Sequence, residues 1–186
     1  MSLHIVQCAM KLFRKQGFDN ITMEGIADAA DVAKRTLYSY FPVKEAIVSA
    51  HWLHNAEKKS KWVPLLMRLY PSTRSRLMKI FLDGAKGFKA EPEYARIHFS
   101  YQFQQIGNHT HSGFQTDFDD VLTSVMEAGQ TQGDIRYDIS SSELATQVML
   151  NFTAICLMWF SDPDSFSLDE RLAHAVDCFI DGAGKQ

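Results

Sequence analysis

Apolar residues along this chain recur at three- and four-residue intervals almost from end to end, and no stretch alternates convincingly at period two. That spacing puts large side chains on one stripe of a helix, so the pattern predicts an all-α protein. The first helix is predicted from Leu3 to Gln16, with Ile5, Ala9, Leu12 and Phe13 inward and Gly17 as a left-handed stop. Thr22 then serves as an N-cap, and Ile21 and Ile26 are spaced to staple across the first turn of a second helix, Met23 to Ala30. Gly25 occupies the place of the carboxylate that would complete a capping box. Asp31-Val32 forms a turn that needs a residue tolerant of positive φ, and Val32 plugs the angle between two short helices. The third helix holds Lys34 to Phe41 and cannot run through Pro42. A long helix is predicted from Lys44 to Leu69, bent or broken at Pro64, with further helices over 73–89, 93–106, 115–132, 141–160 and 168–181. The stretches 107–113 and 161–167, rich in Gly, Pro, Asp and Ser, are the clear loops.

At helical spacing, Leu37 and Phe41 share one edge of the third helix, while Arg35, Tyr38 and Ser39 share the other. The outer edge is basic, aromatic and hydroxyl-rich, which is chemistry suited to phosphates and base edges. Taken alone, it suits a solvated amphipathic helix equally well.

Charge changes the picture. The chain is formally −3, but residues 1–90 hold fifteen Lys and Arg against seven Asp and Glu, and residues 91–186 hold four against fifteen. The first half is thus +8 and the second −11, an asymmetry expected when the first half meets a polyanion. The nine cations from Lys58 to Lys89 are read mainly as the solvated face of connecting helices, with a modest steering role. Cys8, Cys156 and Cys178 lie far apart in apolar helical patterns, so they are expected to be buried, reduced thiols of a cytoplasmic protein. The longest strongly apolar run, 152–160, is short for a membrane span, and no membrane partner is expected.

The segment "AMKLFRKQGFDNITMEGIADAADVAKRTLYSYFPVKEAI" resembles the TetR family of bacterial transcriptional regulators. The likeness lies in Leu12-Phe13, Gly17-Phe18, Thr22, Ile26-Ala27, Thr36-Leu37-Tyr38, Phe41 and Lys44-Glu45 at the family's spacing, about a quarter of the chain. "GDIRYDISSSELATQ" is similar to the approach to the penultimate long helix of many members. The resemblance implies a three-helix DNA-binding domain over residues 1–45 and a helical ligand-binding and dimerisation domain over 46–186. It departs from the pattern at Asp31, where Gly is usual, and at Val43, where a capping residue is usual and about 1 kcal/mol of capping is lost. Carried over by position, Lys34, Arg35 and Tyr38, with Glu24, reach base edges, while Thr22, Thr36, Tyr40 and Lys44 hold phosphates. Glu24 could only accept there, for instance from a cytosine amino group.

The second domain holds many large apolar residues, and Phe81, Phe88, Phe99, Phe103, Phe118, Met126, Phe152 and Trp159 are candidates to line a pocket between helices. An apolar or aromatic small molecule is expected, with hydrogen bonds from Tyr101, Gln102 or Asn151. The helix over 143–160 becomes apolar nearly all round, and with Leu172, Val176, Phe179 and Ile180 of the last helix it is expected to form a homodimer interface. His109 with His111, and His51 with His54, lack further ligands at metal spacing, so neither a metal nor a cofactor is expected. No nucleophile elbow, acid–base pair or phosphate loop is present in the sequence, so no enzyme activity is expected. The sequence therefore reads as a ligand-released repressor acting as a homodimer on a palindromic duplex operator. A helical adaptor, or less readily a helical enzyme, is the rival reading.

Overall fold

The computed structural model describes residues 1–60, 62–107 and 117–183, with side chains described throughout these except at 55–60, 106, 107, 117 and 183. The described residues form helices and no strands. The helices are α1 (Ser2–Gln16), α2 (Met23–Ala29), α3 (Lys34–Tyr40), α4 (Lys44–Ser60), α5 (Val63–Leu69), α6 (Thr73–Ala90), α7 (Pro92–Gly107), α8 (Asp117–Gln132), α9 (Ser141–Ser161) and α10 (Leu168–Ala183). Each follows the predicted period within a residue or two. The long helix is broken near Pro64 as expected, while Gly17 ends α1 as expected but in a different conformation. Pro64 sits in the first turn of α5 and opens a new helix there, because its missing N–H costs nothing at that position. Gly17 has φ 85° and ψ 148°, outside the left-handed helical region expected of it and in territory open essentially to glycine. The predicted loop 107–113 and the first two residues of the predicted helix 115–132 fall outside the described residues, apart from Gly107.

Two apolar cores result. The N-terminal core is closed by Ile5, Ala9, Met10, Phe13, Ile26, Ala27 and Leu37, each at most 2% exposed. Ile47 and Val48 of α4 complete it, together with Tyr94 of α7. The second core runs through α6 to α10 and includes Leu77, Phe81, Ala85, Leu122, Met126, Val148, Phe152 and Leu172. Trp52 of α4 packs against both.

Several polar clasps hold the second core. Asp134 accepts from the Thr73 amide at 2.7 Å and the Thr73 hydroxyl at 2.9 Å, which caps α6 from the end of α8. Gly129 permits this approach, since a Cβ there would lie 2.1 Å from Thr73 Oγ1 and 2.9 Å from Asp134 Oδ1. Arg76 is buried and donates to the carbonyls of Tyr70 and Pro71 and to Gln132 Oε1, tying the α5–α6 turn to α8.

Much of the charge asymmetry is spent inside the fold. Arg14 meets Glu91, Arg74 meets Asp177 and Lys89 meets Asp169, so basic residues of the first half sit against acidic residues of the second. Lys79 and Lys86 share Asp83 on α6 itself. The expectation that the positive half faces a polyanion therefore narrows to α1–α4, because most described cations of α6 already have carboxylate partners. Lys58, Lys59 and Lys61 fall outside the described side chains.

Helix α9 corrects a second expectation. The apolar run 152–160 lies inside a 21-residue helix of mean hydropathy 1.4, which is long and apolar enough to cross a membrane by length and composition. The helix instead carries part of the second core, burying Leu144, Val148, Phe152, Ile155, Cys156 and Trp159. The cysteines also divide. Cys156 is buried, and burial pushes its thiol pKa up, whereas Cys8 is half-buried and Cys178 is exposed.

Candidate nucleic-acid interface

Local chemistry assembles the α2–α3 corner. Thr22 Oγ1 accepts from the Gly25 amide at 3.1 Å and starts α2, and Ile21 and Ile26 are both buried as the staple requires. The turn is closed by the Val32 amide donating to Ala27 O at 3.0 Å, with Asp31 at φ 51°. Asp is one of the few residues besides Gly that reaches this region at modest cost. Leu37 and Phe41 are buried, and Val32 packs half-buried on the same core. Helix α3 is therefore pinned by one edge only.

The other edge faces solvent. Lys34 and Arg35 are exposed in its first turn, and Tyr38 and Tyr40 are 45% and 48% exposed, high values for tyrosines on a folded helix. Ala33 precedes the helix without a side-chain cap, so its first-turn amides are not claimed by a capping side chain. Ser39 donates back to Thr36 O at 2.7 Å, and Thr36 is half-buried. Glu24 on α2 lies 3.9 Å from Lys34 Nζ, with both side chains largely exposed. The structure thus brings Glu24, Lys34, Arg35, Tyr38 and Tyr40 to one outward surface, with Thr22 exposed at the start of α2.

Lys44 behaves differently. Its ammonium donates to Phe18 O at 2.8 Å and Asp19 O at 3.5 Å, and lies 4.5 Å from the centre of the Phe18 ring. It latches the α1–α2 loop onto the start of α4, and two of its three N–H bonds are already used. The sequence carries no local signal for this, because the partners are 25 and 26 residues apart.

The candidate effector residues meet in the second core. Phe81 stacks on Phe152 at 4.4 Å, Phe88 meets Phe99 edge-on at 5.0 Å, and Phe99 lies 6.0 Å from Phe152. Phe160, which the sequence reading missed, joins them at 5.8 Å from Phe99. Met126 and Trp159 are buried in the same core, and Phe118 packs half-buried against it. Phe103 is not brought in with them. It is 54% exposed, on the outer face of α7. Among the expected polar partners, Tyr101 and Gln102 are half-buried, whereas Asn151 lies on the exposed face of α9. A polar pair that the sequence reading also missed borders the rings. His98 Nδ1 is 3.1 Å from Ser49 Oγ, and burial holds the His98 pKa down at about 4. The open groove along α6, lined by Tyr70, Met78, Lys79, Leu82 and Asp83, lies apart from this cluster. His51 and His54 are half-buried on α4, and among the described residues no three metal-binding side chains converge. His109 and His111 lie outside the described residues.

Comparison with known proteins agrees with this geometry. Residues 5–50 match the family model of bacterial regulatory proteins, tetR family. The chain is 22% identical over 181 residues to the HTH-type transcriptional repressor KstR2 of Rhodococcus jostii, covering 96% of this chain and 88% of that protein. Over 44 residues, 24% of this chain and 22% of the relative, it is 43% identical to the putative mycofactocin biosynthesis transcriptional regulator MftR of Mycobacterium tuberculosis. In fold it is similar to Thermus thermophilus FadR, a TetR-family repressor crystallised with lauroyl-CoA, with a TM-score of 0.88 and 22% identity over 100% of this chain and 96% of that one. Its outward basic and aromatic edge, set on a closed three-helix core, therefore lies within the segment that matches the tetR family model, and the whole chain shares the fold of such regulators, which supports a DNA-binding transcriptional regulator.

Proposed function

We propose that the protein is a cytoplasmic homodimeric repressor that leaves a two-fold symmetric operator when an acyl-chain ligand occupies its second domain. The observation that carries the DNA half is the exposed surface of Lys34, Arg35, Tyr38 and Tyr40 on α3, fixed from behind by buried Leu37 and Phe41. In this reading Arg35, Lys34 and Tyr38 address bases in the major groove. Thr22, Thr36 and Tyr40 hold phosphates, and Glu24 accepts from a base while restraining Lys34. Residues 1–45 form the DNA-binding domain and residues 46–186 the effector and dimerisation domain.

Dimerisation is supported by α9. Only 39% of its most apolar window is buried in a single chain, and Leu150 and Met158 stand exposed on the uncovered side. A second copy related by a two-fold axis would cover that face and place two α3 helices about one helical repeat apart, ~34 Å. The ligand class is supported by the aromatic cluster of the second core, together with two relatives of the same fold. The Thermus thermophilus regulator was crystallised with lauroyl-CoA, and Bacillus subtilis FadR with stearoyl-CoA. Helix α4 contributes to both cores, so a ligand that shifts it changes the spacing of the reading helices through its differential affinity for the two states.

The test is selection of genomic duplexes on the full-length protein, repeated with lauroyl-CoA present. Enrichment of one palindromic site, lost on adding the acyl compound, is the expected result. No enriched palindrome would overturn the operator reading, and a site unmoved by acyl compounds would overturn the ligand class.

A further inference from the structure

Trp52 stands where the two cores touch. Its ring lies 5.4 Å from Phe88 and 6.2 Å from His98, nearly parallel to the histidine. Gly87 of α6 receives its six-membered edge, since a Cβ at that position would lie 3.6 Å from Trp52 Cζ3. The indole nitrogen is buried, and among the described residues it has no hydrogen-bond partner. Buried N–H groups are almost always satisfied in native proteins, so an orphan calls for an explanation. Beyond Phe88 the ring contacts continue through Phe99, Phe152 and Phe160 without a polar atom among those side chains.

We propose that Trp52 is the polar anchor of the effector site, donating its indole N–H to the carbonyl oxygen of an ester or thioester whose alkyl chain lies among Phe88, Phe99, Phe152 and Phe160. The inference rests on the acyl-ligand reading above and adds where the head of the ligand is held. A neutral acyl oxygen suits the setting better than a free carboxylate. Among the described residues, His98 lies nearly parallel to the indole and faces Ser49, and burial keeps the imidazole neutral near pH 7. A carboxylate there would lose its hydration with one neutral donor in return.

The position also links the ligand to DNA binding. Ile47 and Val48, five and four residues before Trp52 on α4, are fully buried in the N-terminal core, and Lys44 at the start of the helix grips the α1–α2 loop. A pull on the indole therefore acts on the helix that carries the reading domain. Helix α7 responds with it, because Tyr94 and Ile97 pack in the N-terminal core while Phe99 belongs to the aromatic cluster.

The test compares lauroyl-CoA with S-dodecyl-CoA, a thioether of the same length without the carbonyl, on the full-length wild type and Trp52→Phe. Titration calorimetry should show the wild type preferring the thioester by about tenfold, the value of one hydrogen bond that replaces an unsatisfied donor. Trp52→Phe should erase that preference by weakening the thioester alone. The ¹⁵N-labelled Trp52 indole signal of the wild type should move downfield with lauroyl-CoA and not with the thioether, a readout that does not depend on how the variant folds. Equal affinity of the wild type for both compounds, or an equal loss of both in Trp52→Phe, would leave Trp52 as packing and overturn the anchor alone. Failure of the wild type to bind either compound would overturn the acyl-ligand reading as well.

Discussion

The two cores are built from the same helical spacing, yet they treat polar groups in opposite ways. Among the described residues, no polar side chain of residues 1–48 is buried, and Tyr94 of α7 is the one hydroxyl-bearing member of the sixteen-residue N-terminal cluster. The helices of the second core bury Thr73, Arg76 and Thr153, and the junction buries Ser49 against His98 and leaves the Trp52 N–H unpartnered among the described residues. An apolar core with local caps makes a stiff platform that presents a fixed surface. Satisfied buried polar groups such as Thr73 and Arg76 stiffen the second core, whereas the unsatisfied Trp52 N–H leaves the junction a donor open to a new partner. The first arrangement suits a surface that reads DNA, and the second suits an interior that answers to a ligand.

The largest effect that would sharpen this contrast is expected at Gly129. Gly129→Ala drives a methyl into Thr73 and Asp134 and breaks the α6–α8 clasp, costing about 3 kcal/mol in urea unfolding. A loss under about 0.5 kcal/mol would mean that the clasp yields easily and that the second core is adaptable even where its polar groups are satisfied.

Acid separates the halves next. Burial lowers the His98 pKa from 6.5 to about 4, so the unfolded chain binds a proton that the folded chain refuses between these values. The His98 contribution is present above pH 6.5, is lost as pH drops toward 4 and levels off below. The loss is about 2 kcal/mol by pH 5. His98→Gln should flatten that slope in thermal melts at pH 7 and pH 5. An unchanged slope would assign the acid sensitivity to other groups.

The smallest effects belong to the DNA-binding domain. Arg35→Ala should reduce discrimination at one base pair of the operator by about 1–2 kcal/mol in binding titrations, without unfolding the domain. Lys44→Ala should instead cost about 1 kcal/mol of stability, because its ammonium serves the Phe18 and Asp19 carbonyls. Its salt dependence of binding should stay close to wild type. A slope shallower by about one would return Lys44 to the phosphate-holding role that the sequence suggested.

How much of this was legible beforehand follows from distance along the chain. The helix periods, the Thr22 cap, the Ile21–Ile26 staple, the Asp31 turn and the buried Leu37–Phe41 edge all depend on residues within about five positions of one another, and the structure reproduces each. The outward DNA edge followed, since a helix pinned by one side exposes the other. What the sequence did not show depends on partners far apart. Lys44 reaches back 26 residues, Arg74 pairs 103 residues away and Thr73 meets Asp134 across 61. The charge split looked like an address for a polyanion because the acidic partners of α6 lie on a helix about 90 residues later. Phe103 and Asn151 carried the right chemistry for a pocket, but the rotation of α7 and α9 in the bundle turned them outward. Sequence alone determined which helices form and which face of each is apolar, because those depend on short-range spacing. Only the tertiary structure decided which polar groups meet and which buried donor is left over, because helix packing sets those distances.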